Sequence, residues 1–249
     1  MKIGIAGYGY VGMAHELILK ENHKIVISDP AKGYDENLND ANAIIVCVST
    51  PSDDKGYCDV NNIKDVIDNG PNVPYLIKST MTCEGWRLIK ECKNKNITYS
   101  PEFLRARHWS TDILNNKDWY FGGNGSTVWA EIFKYSLQNI NVNYAEPEEL
   151  IIAKQLRNSF LALKVTYFNQ AYDFCKAQNV DFDSVRAVVT ADPRIGESHS
   201  LVTDDRGYGG HCFPKDVLAT IKSSQLSGKS MTLLEQSDIY NKKIKNDKI

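Results

Sequence analysis

Short apolar runs alternate with amphipathic stretches through the first half of the chain. We interpret five of the runs as β-strands, at 2–7, 24–29, 43–49, 75–80 and 97–100. The run at 43–49 is apolar on both faces, which is typical of a strand covered by helices on each side. Between the runs, apolar residues recur at helical spacing at 11–22, 60–70 and 83–94. Because strand and helix alternate repeatedly, the pattern predicts an α/β fold with a Rossmann-like, doubly wound, mostly parallel sheet.

The alternation continues to about residue 145 and then changes. A strand at 119–123, a helix from about Thr127 to Gln138 and a strand at 140–145 precede helical periodicity that is sustained over 146–179. Pro147 suits the first turn of that helix, where its missing amide proton is not needed. A helix of this length spans roughly 45 Å, so we expect it to link two domains or to form a subunit interface.

Three more helices are predicted around a polar loop at 191–214. They lie at 181–190, with Asp181 as N-cap, at about 215–227 and at about 231–244. The sequence therefore predicts a Rossmann-like domain at 1–145, followed by an all-α domain at 146–249.

The composition favours a globular protein and argues against several partners. Of the 249 residues, 42% are hydrophobic and 24% are charged, and the formal net charge of -2 offers no basic footprint for nucleic acid. The first strand begins at once, which leaves no space for a signal peptide, and no apolar run is long enough to cross a bilayer. The six cysteines form no CxxC pair and no zinc-type spacing with histidine. We therefore expect reduced thiols, no metal, no membrane partner and a cytoplasmic location.

Three glycines between the first strand and the first helix have the G-x-G-x-x-G spacing of a dinucleotide-binding loop. Gly7 would permit the tight turn, Gly9 the approach of a pyrophosphate, and Gly12 the packing of helix on strand. Asp29 ends the second strand, where an acid binds a ribose hydroxyl and repels a 2′-phosphate. The motif predicts NAD rather than NADP, and FAD is less favoured because nothing downstream suggests a flavin enzyme. The alternative is a glycine-rich turn without a ligand.

The segment GYGGHCFPKD at 207–216 is the most informative part of the second half. Its glycines open the backbone before Cys212, and Pro214 suits the start of a helix. At a helix N-terminus, the helix dipole and Lys215 would favour the thiolate form of Cys212. Asp216 is close enough in sequence to share a site with the thiol. The alternative for Cys212 is a buried, small hydrophobic residue.

Seven short motifs lie along residues 1 to about 225, and seven in order are not readily produced by chance. They are GYGYVG at 7–12, STP at 49–51, KST at 78–80, SPEFLR at 100–105, AKQLRNSFLALKV at 153–165, DPRIG at 192–196 and GYGGHCFPKD at 207–216. In their residues and their order they resemble the UDP-glucose/GDP-mannose dehydrogenase family.

The resemblance implies an NAD-dependent oxidoreductase that converts the primary alcohol of a nucleotide sugar to a carboxylate in two hydride transfers. UDP-glucose, converted to UDP-glucuronate, is the first substrate expected. Cys212 matches the nucleophile of the family. Its thiolate would attack the aldehyde to give a thiohemiacetal, which is oxidised to a thioester and then cleaved by water.

The same resemblance assigns roles to five other residues of the reaction. Lys154 and Asn158 would stabilise the developing oxyanion and orient the reacting carbon, although a solvated helix face is the alternative for this pair. Glu102 would activate the water that hydrolyses the thioester. Thr80 and Asp216 would position that water and tune the base.

The remaining expected contacts are with the cofactor, the substrate and a second subunit. Arg194 would reach the substrate bound to a partner subunit, which implies a homodimer built on the long helix; an exposed structural arginine is the alternative. Phe103 and Leu104 would contact the substrate through their backbone, and Lys215 is a further substrate-binding candidate. The cofactor-binding residues by resemblance are Gly7, Gly9, Tyr10, Val11, Gly12, Asp29, Thr50, Pro51 and Thr80.

Several features depart from the family pattern. The acid usual after SPEFL is replaced by Arg105, Ala106 and Arg107, and His211 takes the place of a small residue before Cys212. The Arg194–Cys212 stretch is slightly longer than usual and lacks the family's Pro-Gly, and typical members continue into a third, nucleotide-binding domain. We therefore keep two alternatives: a non-catalytic or split NAD-binding subunit that needs a partner chain, and a 3-hydroxy-acid dehydrogenase, which GGHCFPKD disfavours.

Overall fold

The computed structural model describes residues 1–53, 56–210 and 212–246, and it divides the chain into two compact units. Unit 1 comprises Met1–Ser52 and Cys58–Lys154, and unit 2 comprises Asp53–Tyr57 and Gln155–Ile249. The domain division expected from the sequence, with its boundary after residue 145, stays a prediction.

Unit 1 contains one sheet, which has eight strands in the described part of the chain. The strands are β1 (Lys2–Ala6), β2 (Lys24–Asp29), β3 (Tyr34–Asp35), β4 (Ala43–Val46), β5 (Tyr75–Ile77), β6 (Ile97–Tyr99), β7 (Asp118–Gly123) and β8 (Asn141–Tyr144), in the spatial order β3-β2-β1-β4-β5-β6-β7-β8. Strands β2, β1, β4, β5 and β6 are parallel to one another, whereas β3 runs antiparallel to β2, and β7 runs antiparallel to β6 and parallel to β8. The mostly parallel, doubly wound sheet expected from the sequence is confirmed.

Helices cover both faces of this sheet. Those wholly in unit 1 are α1 (Tyr10–Leu19), α2 (Asn61–Asn69), α3 (Cys83–Ile89), α4 (Trp109–Asn115) and α5 (Ser126–Ser136), with a short 3-10 helix at Pro30–Lys32. Along β4, Ile44 and Val46 belong to one buried apolar cluster, and Ile45 belongs to the other. Alternate side chains of one strand therefore enter two separate cores, which explains why its sequence is apolar on both faces.

Unit 2 is helical. The long helix α6 (Pro147–Ala177) begins in unit 1 and continues into unit 2, where α7 (Phe182–Thr190), α8 (Cys212–Leu226) and α9 (Thr232–Asn246) follow. Asp181 caps α7 by accepting a hydrogen bond from the Ser184 amide at 2.8 Å, as expected. Within the described ranges, none of the helices combines the length and apolar character needed to cross a membrane.

Candidate active site

The glycine loop after β1 has the backbone geometry that the sequence motif predicts. Gly7 has φ +88°, and a Cβ there would lie 2.7 Å from the carbonyl carbon of Cys47, after β4. A Cβ on Gly12 would collide with the Gly7 carbonyl oxygen. Only glycine fits these two positions, because one needs a left-handed conformation and the other brings helix α1 directly against the loop. The loop also lies at the carboxyl ends of β1 and β4, where the order of the strands reverses and α/β proteins bind ligands.

Gly9 differs from Gly7 and Gly12, the other glycines of the motif, because the space around it is open. A Cβ there would meet nothing nearer than the Lys32 amine, at 3.9 Å. Gly9 is the N-cap of α1 and supplies no side-chain cap to the first turn of this helix. An open glycine at an uncapped helix N-terminus fits a pyrophosphate, which such amides and the helix dipole stabilise. The residues present therefore fit the dinucleotide expected from the sequence.

Asp29 is the last residue of β2 and lies beside the same loop. Its Oδ2 accepts a hydrogen bond from the Tyr8 amide at 2.7 Å and lies 3.9 Å from the Lys32 amine. Both contacts use Oδ2, so Oδ1 is the oxygen available for a ribose hydroxyl. Lys32, which the sequence analysis missed, also donates to the Tyr8 carbonyl at 2.8 Å.

The other expected cofactor residues lie in this region of unit 1. Tyr10 and Val11 are the first two residues of α1 and are half-buried. Thr50 is buried after β4, and its hydroxyl donates to the Thr80 carbonyl, after β5, at 2.6 Å. Neighbouring parallel strands bring their carboxyl ends to one edge, so these two loops meet. Pro51 is exposed.

Glu102 and Lys154 are brought together within unit 1. Both are 6% exposed, and the Lys154 amine donates to the Glu102 backbone carbonyl. The Glu102 carboxylate accepts from the amide of Leu104, and the Lys154 amine lies 5.8 Å from the centre of the Phe103 ring. A buried acid and a buried amine in contact with one short segment are suited to proton transfer and to stabilising developing charge.

A second buried amine, Lys78, contacts the same segment and was not singled out from the sequence. It is 2% exposed, and its amine donates to the Ser100 hydroxyl at 3.0 Å and to the Pro101 carbonyl at 3.1 Å. Burial lowers the pKa of Lys78 to about 8, and the nearby Glu102 carboxylate opposes that shift. The Ser100–Glu102 segment is therefore held by two lysines.

In unit 2, Cys212 is the first residue of α8 and is half-buried. The helix begins earlier than the sequence-based estimate of about 215, so Pro214 is its third residue. Cys212 and Pro214 both lie in the first turn of α8, where a backbone amide has no partner within the helix. The partial positive charge of a helix N-terminus stabilises a thiolate located there.

Asp216 lies one turn into α8 and is paired with Asn158 of α6. It is 1% exposed, and its Oδ2 accepts from the Asn158 side-chain amide at 2.5 Å. Among the described residues, its Oδ1 has no hydrogen-bond partner. A buried carboxylate oxygen of this kind is suited to a water molecule or a ligand hydroxyl.

Arg194 lies at the surface of unit 2. The side chain of Arg194 is 87% exposed, and its guanidinium pairs with Asp192 at 2.5 Å. Lys164 holds the same loop by donating to the carbonyls of Ile195 and Gly196 at 2.6 and 2.9 Å. Lys215 is half-buried in the first turn of α8, and His211 lies outside the described residues.

A Rossmann-like sheet with a glycine loop that fits a dinucleotide is the arrangement typical of nicotinamide-dependent dehydrogenases. Residues 149–243 match the UDP-glucose/GDP-mannose dehydrogenase family, central domain. The helical part of the chain is therefore similar to the central domain of this family, and the resemblance predicted from the ordered motifs is confirmed. NAD, which the glycine loop and Asp29 predict, agrees with the NAD-dependent dehydrogenases to which the chain is similar.

Known proteins similar to this chain include one sequence relative and two solved structures. UDP-glucose 6-dehydrogenase of Campylobacter jejuni is 27% identical over 262 residues, which are 87% of this chain and 66% of that protein. A UDP-glucose dehydrogenase from Pyrobaculum islandicum has a TM-score of 0.82 at 21% identity, covering 97% of this chain and 68% of that one. Mycobacterium tuberculosis 3-hydroxyisobutyrate dehydrogenase has a TM-score of 0.76 at 16% identity, covering 99% and 94%.

The chain matches only part of the length of its relatives. The chain spans 66%, 44% and 53% of three UDP-glucose 6-dehydrogenases that it resembles. The two structural likenesses show the fold alone. The substrate, the roles of the site residues and the assembly are therefore proposals.

Proposed function

We propose that this chain catalyses the NAD-dependent, two-step oxidation of the primary alcohol of a nucleotide sugar to a carboxylate, with Cys212 as the nucleophile. The observation that carries the proposal is the arrangement in unit 2. There Cys212 begins α8, and the buried Asp216 of the same turn is fixed by Asn158. A buried structural cysteine needs none of these features. UDP-glucose is the substrate to test first.

Cys212 retains the intermediate between the two oxidations. The glycine loop and Asp29 would hold NAD, which would supply the hydride acceptor needed for each of the two oxidations. After the alcohol becomes an aldehyde, the Cys212 thiolate adds to the carbonyl carbon and forms a thiohemiacetal. Oxidation of that adduct gives a thioester, so the sugar stays attached to the protein until water cleaves it.

Lys154 and Asn158 lie four residues apart on α6 and hence on one side of the helix. Lys154 would supply positive charge to the oxygen of the reacting carbon. It now donates to a neutral carbonyl, a partner that is readily exchanged for a developing oxyanion. Asn158 holds Asp216, whose Oδ1 would accept a hydrogen bond from a substrate hydroxyl or a water.

Glu102 would serve as the base for the last step. Its carboxylate removes a proton from water as the oxygen attacks the thioester carbon, and the Cys212 thiolate leaves. Thr80 would help position that water, because its loop is tied to Thr50.

Mass spectrometry of the intact Glu102→Gln variant tests the sequence of steps. The variant should release a burst of NADH and then accumulate a sugar-derived adduct on Cys212, because both oxidations precede the step that needs the base. Cys212→Ser should not complete the four-electron oxidation. Cys83→Ser, which alters another half-buried thiol, is the matched control and should turn over normally. Full oxidation by Cys212→Ser would overturn the proposed role of the thiol.

A homodimer is part of the same proposal. Along α6 in unit 2, Leu156, Phe160, Tyr167 and Phe174 are 43%, 66%, 64% and 66% exposed. Spacings of four and seven residues place these side chains on one face of the helix. A second copy of the chain would cover this face, and the exposed Arg194 would then reach the site of the partner subunit. The cytoplasmic location stays a prediction.

A non-catalytic NAD-binding subunit is the second candidate, because the chain spans only part of the length of its relatives. It predicts NAD binding without NADH formation. The purified chain should therefore be assayed with UDP-glucose, GDP-mannose and UDP-N-acetylmannosamine. If none of them yields NADH or an adduct while NAD still binds, the second candidate replaces the first.

A further inference from the structure

We propose that Lys78 is a positioning residue that fixes the Ser100–Glu102 segment and thereby the Glu102 carboxylate. This inference rests on the proposed function for its kinetic consequence, but its structural part can be tested without substrate. All of the residues involved belong to unit 1.

The contacts of Lys78 are unusual for a lysine. Only 2% of the residue is exposed, so its amine has exchanged water for the Ser100 hydroxyl and the Pro101 carbonyl. Its third neighbour is the ring of Trp119, with the amine 5.4 Å from the ring centre. Burying an ammonium group is costly unless it has specific partners, so the amine is held closely to the segment.

The backbone around Lys78 fixes the origin of its side chain. The Lys78 amide donates to the Val46 carbonyl at 2.9 Å, and the Ser100 amide donates to the Ile77 carbonyl at 3.0 Å. Both ends of the Lys78–Ser100 contact are thus attached to the central sheet, whose backbone hydrogen bonds make it rigid. Lys78 transmits that rigidity to Pro101, immediately before Glu102.

Two lysines divide the task of holding the segment. Lys78 holds the Pro101 carbonyl, and Lys154 holds the next carbonyl, that of Glu102. If Lys154 moves to the substrate during the reaction, its bond to Glu102 is lost. Lys78 exposes too little surface to contact a substrate, so we expect its bonds to persist throughout the reaction and to keep the base in place.

Hydrogen exchange of the Lys78→Met variant tests whether Lys78 fixes the Ser100–Glu102 segment. Methionine has a similar length but cannot donate, so the amides of Glu102, Phe103 and Leu104 should exchange about tenfold faster. Lys134→Met makes the same change at an exposed position of α5 and should leave them unchanged. Ser100→Ala removes one acceptor of the Lys78 amine but keeps the buried charge. It should therefore give a smaller increase in the exchange rate of the same amides.

The kinetic part asks which step slows. Lys78→Met should slow hydrolysis of the acyl-enzyme on the order of tenfold to a hundredfold, because misplacement of a catalytic group costs that much. The NADH burst and NAD affinity should change less than about twofold, so that the variant resembles Glu102→Gln. Lys78→Gln, which keeps a donor, should recover part of the loss.

Three outcomes would overturn the inference. They are wild-type exchange at residues 102–104, faster exchange spread evenly over all strands of unit 1, and a burst that is slowed as much as hydrolysis. If the wild-type chain oxidises no sugar nucleotide, the proposed function fails, but the exchange experiment still decides whether Lys78 fixes the segment.

Discussion

Acid should destabilise unit 1 through one buried imidazole, that of His15, and His15→Leu should remove that sensitivity. His15 lies on α1 with no exposed surface, between the rings of Trp119 and Phe133. One ring nitrogen, Nδ1, is 2.8 Å from the Val11 carbonyl, whereas Nε2 has no partner among the described residues. Burial lowers the pKa of His15 to about 3, and the charge of Lys78 adds to the shift.

The sign and size of the effect follow from proton linkage. The ordinary histidine pKa of 6.5 applies to the unfolded chain, which therefore binds the proton more tightly than the folded chain does. Above pH 6.5, His15 therefore does not lower the free energy of unfolding. As the pH falls from 6.5 towards 3, protonation of His15 in the unfolded chain lowers that free energy progressively. With these two pKa values, the free energy of unfolding should fall by roughly 2 kcal/mol between pH 7 and pH 5 because of this residue alone.

Urea unfolding followed by tryptophan fluorescence measures the free energy of unfolding of unit 1 itself. All four tryptophans lie in unit 1, and one of them, Trp119, contacts His15. Wild type and His15→Leu should diverge steadily below pH 6.5, since other titrating groups affect both proteins alike. Ile18→Val, on the same buried side of α1, should cost about 1 kcal/mol equally at every pH. Parallel curves for wild type and His15→Leu down to pH 4.5 would refute the reasoning.

The remaining predictions concern the cofactor, the chemistry and the assembly. Asp29→Ala should bring the affinities for NAD and NADP closer together, because the repulsion of a 2′-phosphate is lost; calorimetry measures both, and equal affinities in wild type would contradict the role of Asp29. Lys154→Ala should slow hydride transfer about a hundredfold, or roughly 3 kcal/mol, in single-turnover NADH formation; an unchanged rate would contradict charge stabilisation. Phe160→Asp should convert a dimer to a monomer in light scattering at micromolar concentration, whereas Leu233→Asp, at another exposed apolar position, should not; a monomeric wild type would remove Arg194 from the site.

The sheet and the glycine loop could be predicted because their sequence signals are local. The apolar run at 43–49 indicated a strand buried on both faces, and Gly7 and Gly12 indicated a turn whose geometry admits only glycine. The two-residue edge strand β3 and the helix α4 were not predicted. A strand of two residues has no measurable periodicity, and seven residues complete only about two helical turns, too few for a clear apolar face.

Side-chain hydrogen bonds explain some of the errors at element ends. Helical spacing suggested that α3 extends to residue 94, but the helix ends at Ile89. Asn94 is buried, where its side chain donates to the Val73 carbonyl and accepts from the Asn96 amide, both at 2.8 Å. An asparagine that bonds to the backbone in this way competes with the helix, and its partner across the fold is not visible in the local sequence.

The site residues show the same division between local and distant information. Cys212 and Asp216 could be proposed because glycines, a proline and the thiol occur within one short segment. Lys78 could not, because its burial depends on Ser100 and Pro101, which follow a different strand. Within the KST motif it resembles any polar residue at the end of a strand.

The energetic cost of Lys78 favours a role beyond stability. Its pKa of about 8 in the folded chain lies below the ordinary 10.5, so the unfolded chain binds the proton more tightly. The folded state therefore carries a penalty of about 3 kcal/mol below pH 8, which is relieved as the pH rises from 8 to 10.5. Buried charges as a class are weak evidence for stability, because a buried ion pair replaced by well-packed apolar side chains often leaves stability unchanged. An amine at this position is therefore better explained by what it holds, the backbone directly before Glu102, than by any net contribution to folding.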